Sequence, residues 1–366
     1  MQKPILILGG YGNFGKRISQ ALASNGLPIV IAGRDLGKAQ SLATQLRTES
    51  KAAITADAFD VNADLAQRLA SIGPCAVINT CGPFQAADYR VAMACIDQGV
   101  HYIDLADGRD FVTGITALDT SAKHNHVAVI SGASTVPGLS SAVLEYYRSE
   151  FAIYSSLKFG ISPGQKAERG LATTQGILSY VGKLLRPFPS TNKLAYGWQD
   201  LYRQRYPGLG KRWMANCEIP DLDLLPEHYG LKSIQFSAGL ELGIEHLGLW
   251  AMSWLVRMGL PITLPRHAAG LLAMSDAFNM FGSAHGGMHM HMQGIGHDGK
   301  AHRRSWFIIA RDGYGPYIPT IPAIVLAKKA ARGEALPHGA RACVACLSLK
   351  EYLDELKPYP VRTYTE

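Results

Sequence analysis

The residues of this chain whose spacing could do chemistry begin at "GGYGNFG", which gives Gly10-x-Gly12-x-x-Gly15 directly after an apolar run. In such a turn the first glycine permits the tight bend and the second lets backbone approach a pyrophosphate. The third lets helix and strand pack closely, while the N–H groups of Tyr11, Asn13 and Phe14 and the helix N-terminus face the phosphates. Arg34 lies 22 positions after Gly12, at the end of "IVIAGRD". An acid at that place binds the ribose 2′-hydroxyl of NAD and repels a 2′-phosphate, whereas a guanidinium can grip that phosphate bidentately. Lys38, one helical turn on, adds a second positive charge, and Asp35 becomes a ribose ligand if the register shifts by one. The pattern favours NADP(H) over NAD(H).

Further candidates follow at the ends of later apolar runs. Asp60, after "AAITAD", is placed to take an adenine amino group or to make a surface turn. In "NTCGPF", Thr80, Cys81, Gly82 and Pro83 close the fourth run beside the crevice where such sheets bind ligands, so they are expected to touch the cofactor. "YIDLADGRD" offers Asp107 to bind an amine or move a proton. It also offers Asp104 and Arg109 as substrate contacts, unless these acids and the arginine form a salt-bridge network in a loop. Ser134, with Thr135 and Gly138, suits either an anionic substrate group or a helix cap. His285 or His289, and Tyr317, are candidate general acids that no spacing rule selects. "MHMHMQG" has the alternation of any strand, and without a carboxylate or cysteine to complete a ligand set it calls for no metal.

These residues need a frame to hold them. Six short apolar runs, "PILILG", "PIVIAG", "AAITAD", "CAVINTC", "HYIDLA" and "VAVISGA", alternate with helical spacing. That rhythm demands a Rossmann-type doubly wound parallel sheet with helices on both faces. After Val136 the rhythm breaks. "SSLKFGIS", "SIQFSAGLELG", "GGMHMHMQGIG" and "RRSWFIIARDG" read as strands of a mainly antiparallel sheet in an α+β domain, with Asp298-Gly299 turning a hairpin. The expected division is a nucleotide-binding domain over 1–135, a substrate and dimerisation domain over 136–315, and a C-terminal helix and tail over 316–366.

The 366 residues are 47% hydrophobic and 18% charged, a composition for well-filled cores. The net charge of +7 is scattered rather than clustered, which argues against a nucleic-acid partner. "LGLWAMSWLVRMGLPITL" is interrupted by Arg257 and Pro261, so no stable membrane insertion is expected. It reads instead as a buried helix or the wall of an apolar pocket. An N-terminus that enters a strand at once points to a cytoplasmic protein. The six cysteines, including the Cys343–Cys346 C-x-x-C, are expected as free thiols.

Assembled, "GGYGNFGKRIS", "AGRDLGKAQ", "VINTCGPFQ", "ACIDQGVHYIDLADGRDF" and "SGASTVPGLSSAV" resemble the saccharopine dehydrogenase-like oxidoreductases over most of residues 4–143. "GPYIPTIPAIVLAKKAARGE" and "SLKEYL" look like the tail of bacterial members. The resemblance implies a nucleotide-binding domain followed by a substrate domain, with a C-terminal helix packed back on the first. It also implies reduction of an imine or carbonyl compound with NADP(H), or the reverse, and assembly as a homodimer. A different class, a non-catalytic NADP(H)-binding sensor or scaffold, fits the same nucleotide motif, because a fold does not fix a reaction.

Overall fold

A computed structural model describes residues 2–85, 87–187 and 194–366. Among them are fourteen strands. The first six are β1 (Ile5–Leu8), β2 (Ile29–Gly33), β3 (Ile54–Ala58), β4 (Ala76–Asn79), β5 (His101–Asp104) and β6 (Ala128–Ser131). Then come β7 (Ile153–Ser162), β8 (Tyr202–Tyr206), β9 (Gly210–Asn216), β10 (Ser233–Ala238), β11 (Gly286–Ile295) and β12 (Ala301–Ala310). The last two are β13 (Gly339–Ala342) and β14 (Val361–Thr365). The chain divides into two compact units: Met1–Ala142 with Tyr317–Glu355, and Val143–Pro316 with Leu356–Glu366.

The first unit is built on a seven-stranded sheet in the order β13-β6-β5-β4-β1-β2-β3, parallel throughout. Its inner strands are apolar on both sides because both faces are covered: β1, β4 and β6 are buried along their whole length. The six apolar runs all become strands. The seventh, β13, arrives from the far end of the chain and pairs with β6 at the sheet edge. "GARA" has neither length nor bulk to announce a strand, so only the long-range pairing reveals it. The helix Ile321–Ala331 packs against β4, β5 and the helix Asn13–Ser24, and it is buried nearly all round.

Local chemistry sets several element boundaries. The helix after β3 starts at Leu65 with Asp64 at its cap, not at Asn62, whose side chain is held by Asp60 at 3.0 Å. The helix before β5 runs only from Arg90 to Asp97. Pro137 does not open a regular helix: a wide turn over Thr135–Leu139, with extended Val136 inside it, leads into Ser140–Tyr147.

The second unit carries a mixed sheet in the order β14-β12-β11-β7-β10-β9-β8. It is antiparallel except for the β7–β10 pair. The Asp298-Gly299 hairpin forms as its sequence requires, with Gly299 at φ +77° and Ile295 facing Ala301 across the ladder. Met288, Met290 and Met292 are buried on one face of β11. β8, β9 and β14 have no apolar run that stands out from their charged neighbours. The apolar segment forms the helix Gly243–Arg257, but not a buried one: Leu249 packs into a cluster with Trp198, Leu178 and Leu264, whereas Ile244, Leu247, Trp254 and Leu255 are exposed, so the pocket-wall alternative describes it better. Among the described residues, no helix is long and apolar enough to cross a membrane.

Candidate functional site

The strand order of the first sheet reverses between β1 and β4, so the loops after these strands flank a crevice at their carboxyl ends. The glycine turn after β1 is shaped by backbone crowding. Gly9, rather than Gly10, takes the left-handed conformation, at φ +73°. Its carbonyl accepts the Gly12 N–H at 2.8 Å. A Cβ on Gly15 would stand 2.1 Å from the Gly9 oxygen, so only glycine lets the helix Asn13–Ser24 start so near the turn. At Gly12 the nearest atom to a Cβ is that same oxygen, at 3.1 Å, and the other side is open. The doubled glycine in "GGYG" was the available signal that the bend falls one residue earlier than expected.

Thr80 ties the loop after β4 to this turn. Its hydroxyl donates to the Leu8 carbonyl at 2.8 Å, and a Cβ on Gly9 would come within 2.6 Å of Thr80 Oγ1 and 3.2 Å of Cys81 Sγ. Asn79, not singled out from the sequence, shapes the loop. Its Oδ1 accepts the Cys81 N–H at 3.0 Å, while its Nδ2 donates to Tyr102 Oη at 3.1 Å. Cys81, Gly82 and Pro83 are exposed at the crevice. A cavity of about 250 Å³ opens there between Asn62, Asn79, Cys81 and Arg90.

At the end of β2 the roles of Arg34 and Asp35 separate. Asp35 caps the helix Leu36–Glu49: its Oδ1 accepts the Lys38 N–H at 3.1 Å, and its Oδ2 stands 3.5 Å from Lys38 Nζ. That backbone hydrogen bond, aided by the Lys38 charge, holds its carboxyl below the usual range. The Tyr11 ring lies over Gly33, where a Cβ would be 2.5 Å away, and its hydroxyl accepts the Asp35 N–H at 2.9 Å. Arg34 is exposed and makes no hydrogen bond or ion pair with any described residue. Asp60 folds its own turn, accepting the Asn62 N–H at 2.9 Å.

The acids after β5 divide as well. Asp104 is fully buried, and its Oδ1 accepts from Ala106 N–H, Ser131 Oγ and Gly132 N–H at 2.9, 2.9 and 2.8 Å. It knots β5 to β6. Its Oδ2 is buried with no hydrogen-bond partner, and burial lifts the carboxyl to about 6 against those three bonds. Arg109 is 5% exposed in the first turn of the helix Arg109–Gly114, so both residues are buried. Asp107 is half-buried, accepts from Gln85 Nε2 at 3.1 Å, and is raised by burial. Gly108 beside it packs on the Phe84 carbonyl, which brings the Asp107 loop against the "CGPFQ" loop. Ser134 is half-buried with no side-chain cap bond. Tyr317 lies under the Arg17 guanidinium, 5.1 Å from its carbon, and Arg17 in turn holds Asn13.

His285 belongs to the second unit, where its Nδ1 accepts the Asp312 N–H at 3.1 Å. Arg212, which no motif marked, sits beside it. This arginine is buried, donates to the carbonyls of Pro163 and His285 at 3.0 and 2.8 Å, and pairs with Glu241 at 3.2 Å. His289 is in the core, between the hydroxyls of Tyr206 at 2.9 Å and Tyr202 at 3.3 Å.

A glycine turn seated beside a second loop at the switch point of a parallel sheet agrees with the family comparison. Residues 5–145 match the family model described as the saccharopine dehydrogenase NADP binding domain. Over this stretch the chain is similar to the NADP-binding domain of saccharopine dehydrogenases. No curated protein matches the sequence. Among solved structures, apo saccharopine dehydrogenase (L-Glu forming) from Saccharomyces cerevisiae is similar over 100% of both chains, with TM-score 0.66 and 13% identity. At that identity the likeness establishes the fold, including the second unit with its mixed sheet, and leaves the reaction open. Amine dehydrogenase from Mycobacterium smegmatis covers 94% of this chain and 96% of its own at TM-score 0.49 and 13% identity, too distant to weigh. The matched stretch contains the glycine turn, Thr80 and the end of β2.

Proposed function

We propose that the chain is an NADP(H)-dependent oxidoreductase of the saccharopine dehydrogenase type that reduces an imine or carbonyl substrate, or oxidises the corresponding amine or alcohol. The observation that carries this reading is the split at the end of β2. Asp35, the acid that a ribose 2′-hydroxyl would need, is committed to capping a helix, while Arg34 is left exposed with no hydrogen-bond or ion-pair partner among the described residues. A 2′-phosphate supplies that partner. The backbone N–H groups after Gly12 take the pyrophosphate, and Thr80, Cys81, Gly82 and Pro83 border the nicotinamide half. NADP(H) supplies or accepts the hydride.

Asp107 is the residue of this unit best suited to hold or move the substrate proton. It is half-buried, its carboxyl is raised by burial, and Gln85 fixes its orientation. Asp104 and Arg109 are positioning residues, since both are buried in the loop. We further propose that the protein works in the cytoplasm as a homodimer.

The test is consumption of NADPH absorbance when the pure protein meets a dialysable cell extract, with Asp107→Asn alongside. The expected result is a protein-dependent loss that falls at least tenfold in Asp107→Asn while NADPH affinity stays within about twofold. Tight NADPH binding with no turnover in any fraction, in either direction, would favour the sensor reading instead.

A further inference from the structure

The second unit holds a cavity of about 290 Å³ among the helices Leu171–Leu178, Gly243–Arg257 and Ala268–Ala277. Most of its wall is apolar, with Ile177, Leu249, Met252, Leu271 and Phe278 around Trp198. One stretch is polar. Glu245 Oε1 accepts from Gln165 Nε2 at 3.0 Å and from Ser275 Oγ at 2.8 Å, and Ser275 Oγ accepts from Arg169 Nη1 at 2.7 Å. Both charged groups nevertheless keep an unused atom. Glu245 Oε2 and Arg169 Nε are buried and have no hydrogen-bond partner.

A buried acceptor and a buried donor on charged groups are costly to leave unmade. Placed beside an apolar hollow, they describe a ligand: a chain of carbon with one small group that both donates and accepts. Arg169 pairs with Asp276 at 3.7 Å and is bridged to Glu245 by the Ser275 hydroxyl, so an anionic head would meet two carboxylates and a cationic head would meet the guanidinium. A neutral head therefore fits better than an ionised one. The mouth is apolar too, since Ile244 and Met274 line the cavity and are 69% and 57% exposed.

We infer that this cavity binds a neutral amphiphile, an aliphatic chain ending in a hydroxyl or primary carboxamide, with its head between Glu245 and Arg169. The inference stands on the second unit alone and is independent of the cofactor reading. A concave, mostly apolar wall with a few placed polar groups is the usual build of a small-molecule site.

The experiment is calorimetric titration of the full chain with octanol and octanamide, against butanol, octanoate and octylammonium, with Trp emission followed in parallel. The expected result is saturable binding of octanol and octanamide, at least tenfold tighter than the other three. Gly248 lines the cavity and a Cβ there meets nothing within 4 Å, so Gly248→Phe should fill the space without disturbing the fold. It should abolish octanol binding and leave NADPH affinity unchanged. Glu245→Met should weaken octanol by about tenfold. Absence of saturable binding to the native chain, unchanged binding in Gly248→Phe, or preference for octanoate or octylammonium would each overturn the proposal.

Discussion

The two units place their chemistry in opposite ways. In the first, the candidate site is made of backbone: glycines whose Cβ atoms would collide, N–H groups at a helix start, and one exposed arginine. In the second, it is made of side chains brought from distant segments, such as Arg212, Glu241 and His285, or Gln165, Glu245 and Ser275. Backbone sites constrain residue type at fixed spacing, so they leave motifs. Side-chain sites tolerate many spacings, and they leave none.

The sharpest way to break this contrast is steric. Gly15→Ala puts a Cβ 2.1 Å from the Gly9 oxygen, where only backbone movement can relieve it. We expect a loss of about 3 kcal/mol in stability and no measurable NADPH binding, read by thermal unfolding and fluorescence titration. In the second unit Gly248→Ala meets open space on a helix and should stabilise by about 1 kcal/mol. Equal losses at both positions would erase the distinction.

Buried titratable groups set the units against each other over pH. Asp104 holds its proton up to about 6 in the folded chain, against 3.8 for an ordinary aspartate. The folded state thus binds the proton more tightly, and raising pH from 4 through 6 costs the first unit about 3 kcal/mol. His246, buried beside Trp198 with an unpartnered Nε2, is lowered to about 4 by desolvation. Its neutral form is the folded one, so its contribution is complete above 6.5, and lowering pH from there through 4 costs the second unit about 3 kcal/mol. His289, also depressed by burial, acts in the same direction. All five tryptophans lie in the second unit, so Trp emission reports its unfolding. The midpoint should fall on acidification from pH 7 to 5, and fall less in His246→Asn.

Much of the first unit was legible because its strands are continuous apolar runs and its turn is glycine-coded. The exceptions have physical causes. The bend at Gly9 hides inside a doubled glycine, β13 is too short to show a pattern, and the bonds that hold buried Asp104 come from Ser131 and Gly132 at the end of β6. In the second unit the hairpin at Asp298-Gly299 and the long apolar helix were readable. The cavity was only hinted at, because its polar atoms come from segments spread over 110 positions, from Gln165 to Ser275.

A smaller effect separates neighbours at the end of β2. Asp35→Ala should lower the melting temperature slightly, through the lost cap, and leave NADPH affinity unchanged. Weakened NADPH binding in that variant would shift the ribose contact from Arg34 to Asp35.

The central claim is that Arg34 holds a 2′-phosphate. Its most direct test is the ratio of NADH to NADPH dissociation constants, measured for the native chain and for Arg34→Ala. We expect NADPH to be favoured in the native chain and to weaken by about tenfold to a hundredfold in Arg34→Ala, with NADH nearly unchanged. Equal affinities in the native chain, or parallel losses for both cofactors in the variant, would contradict it.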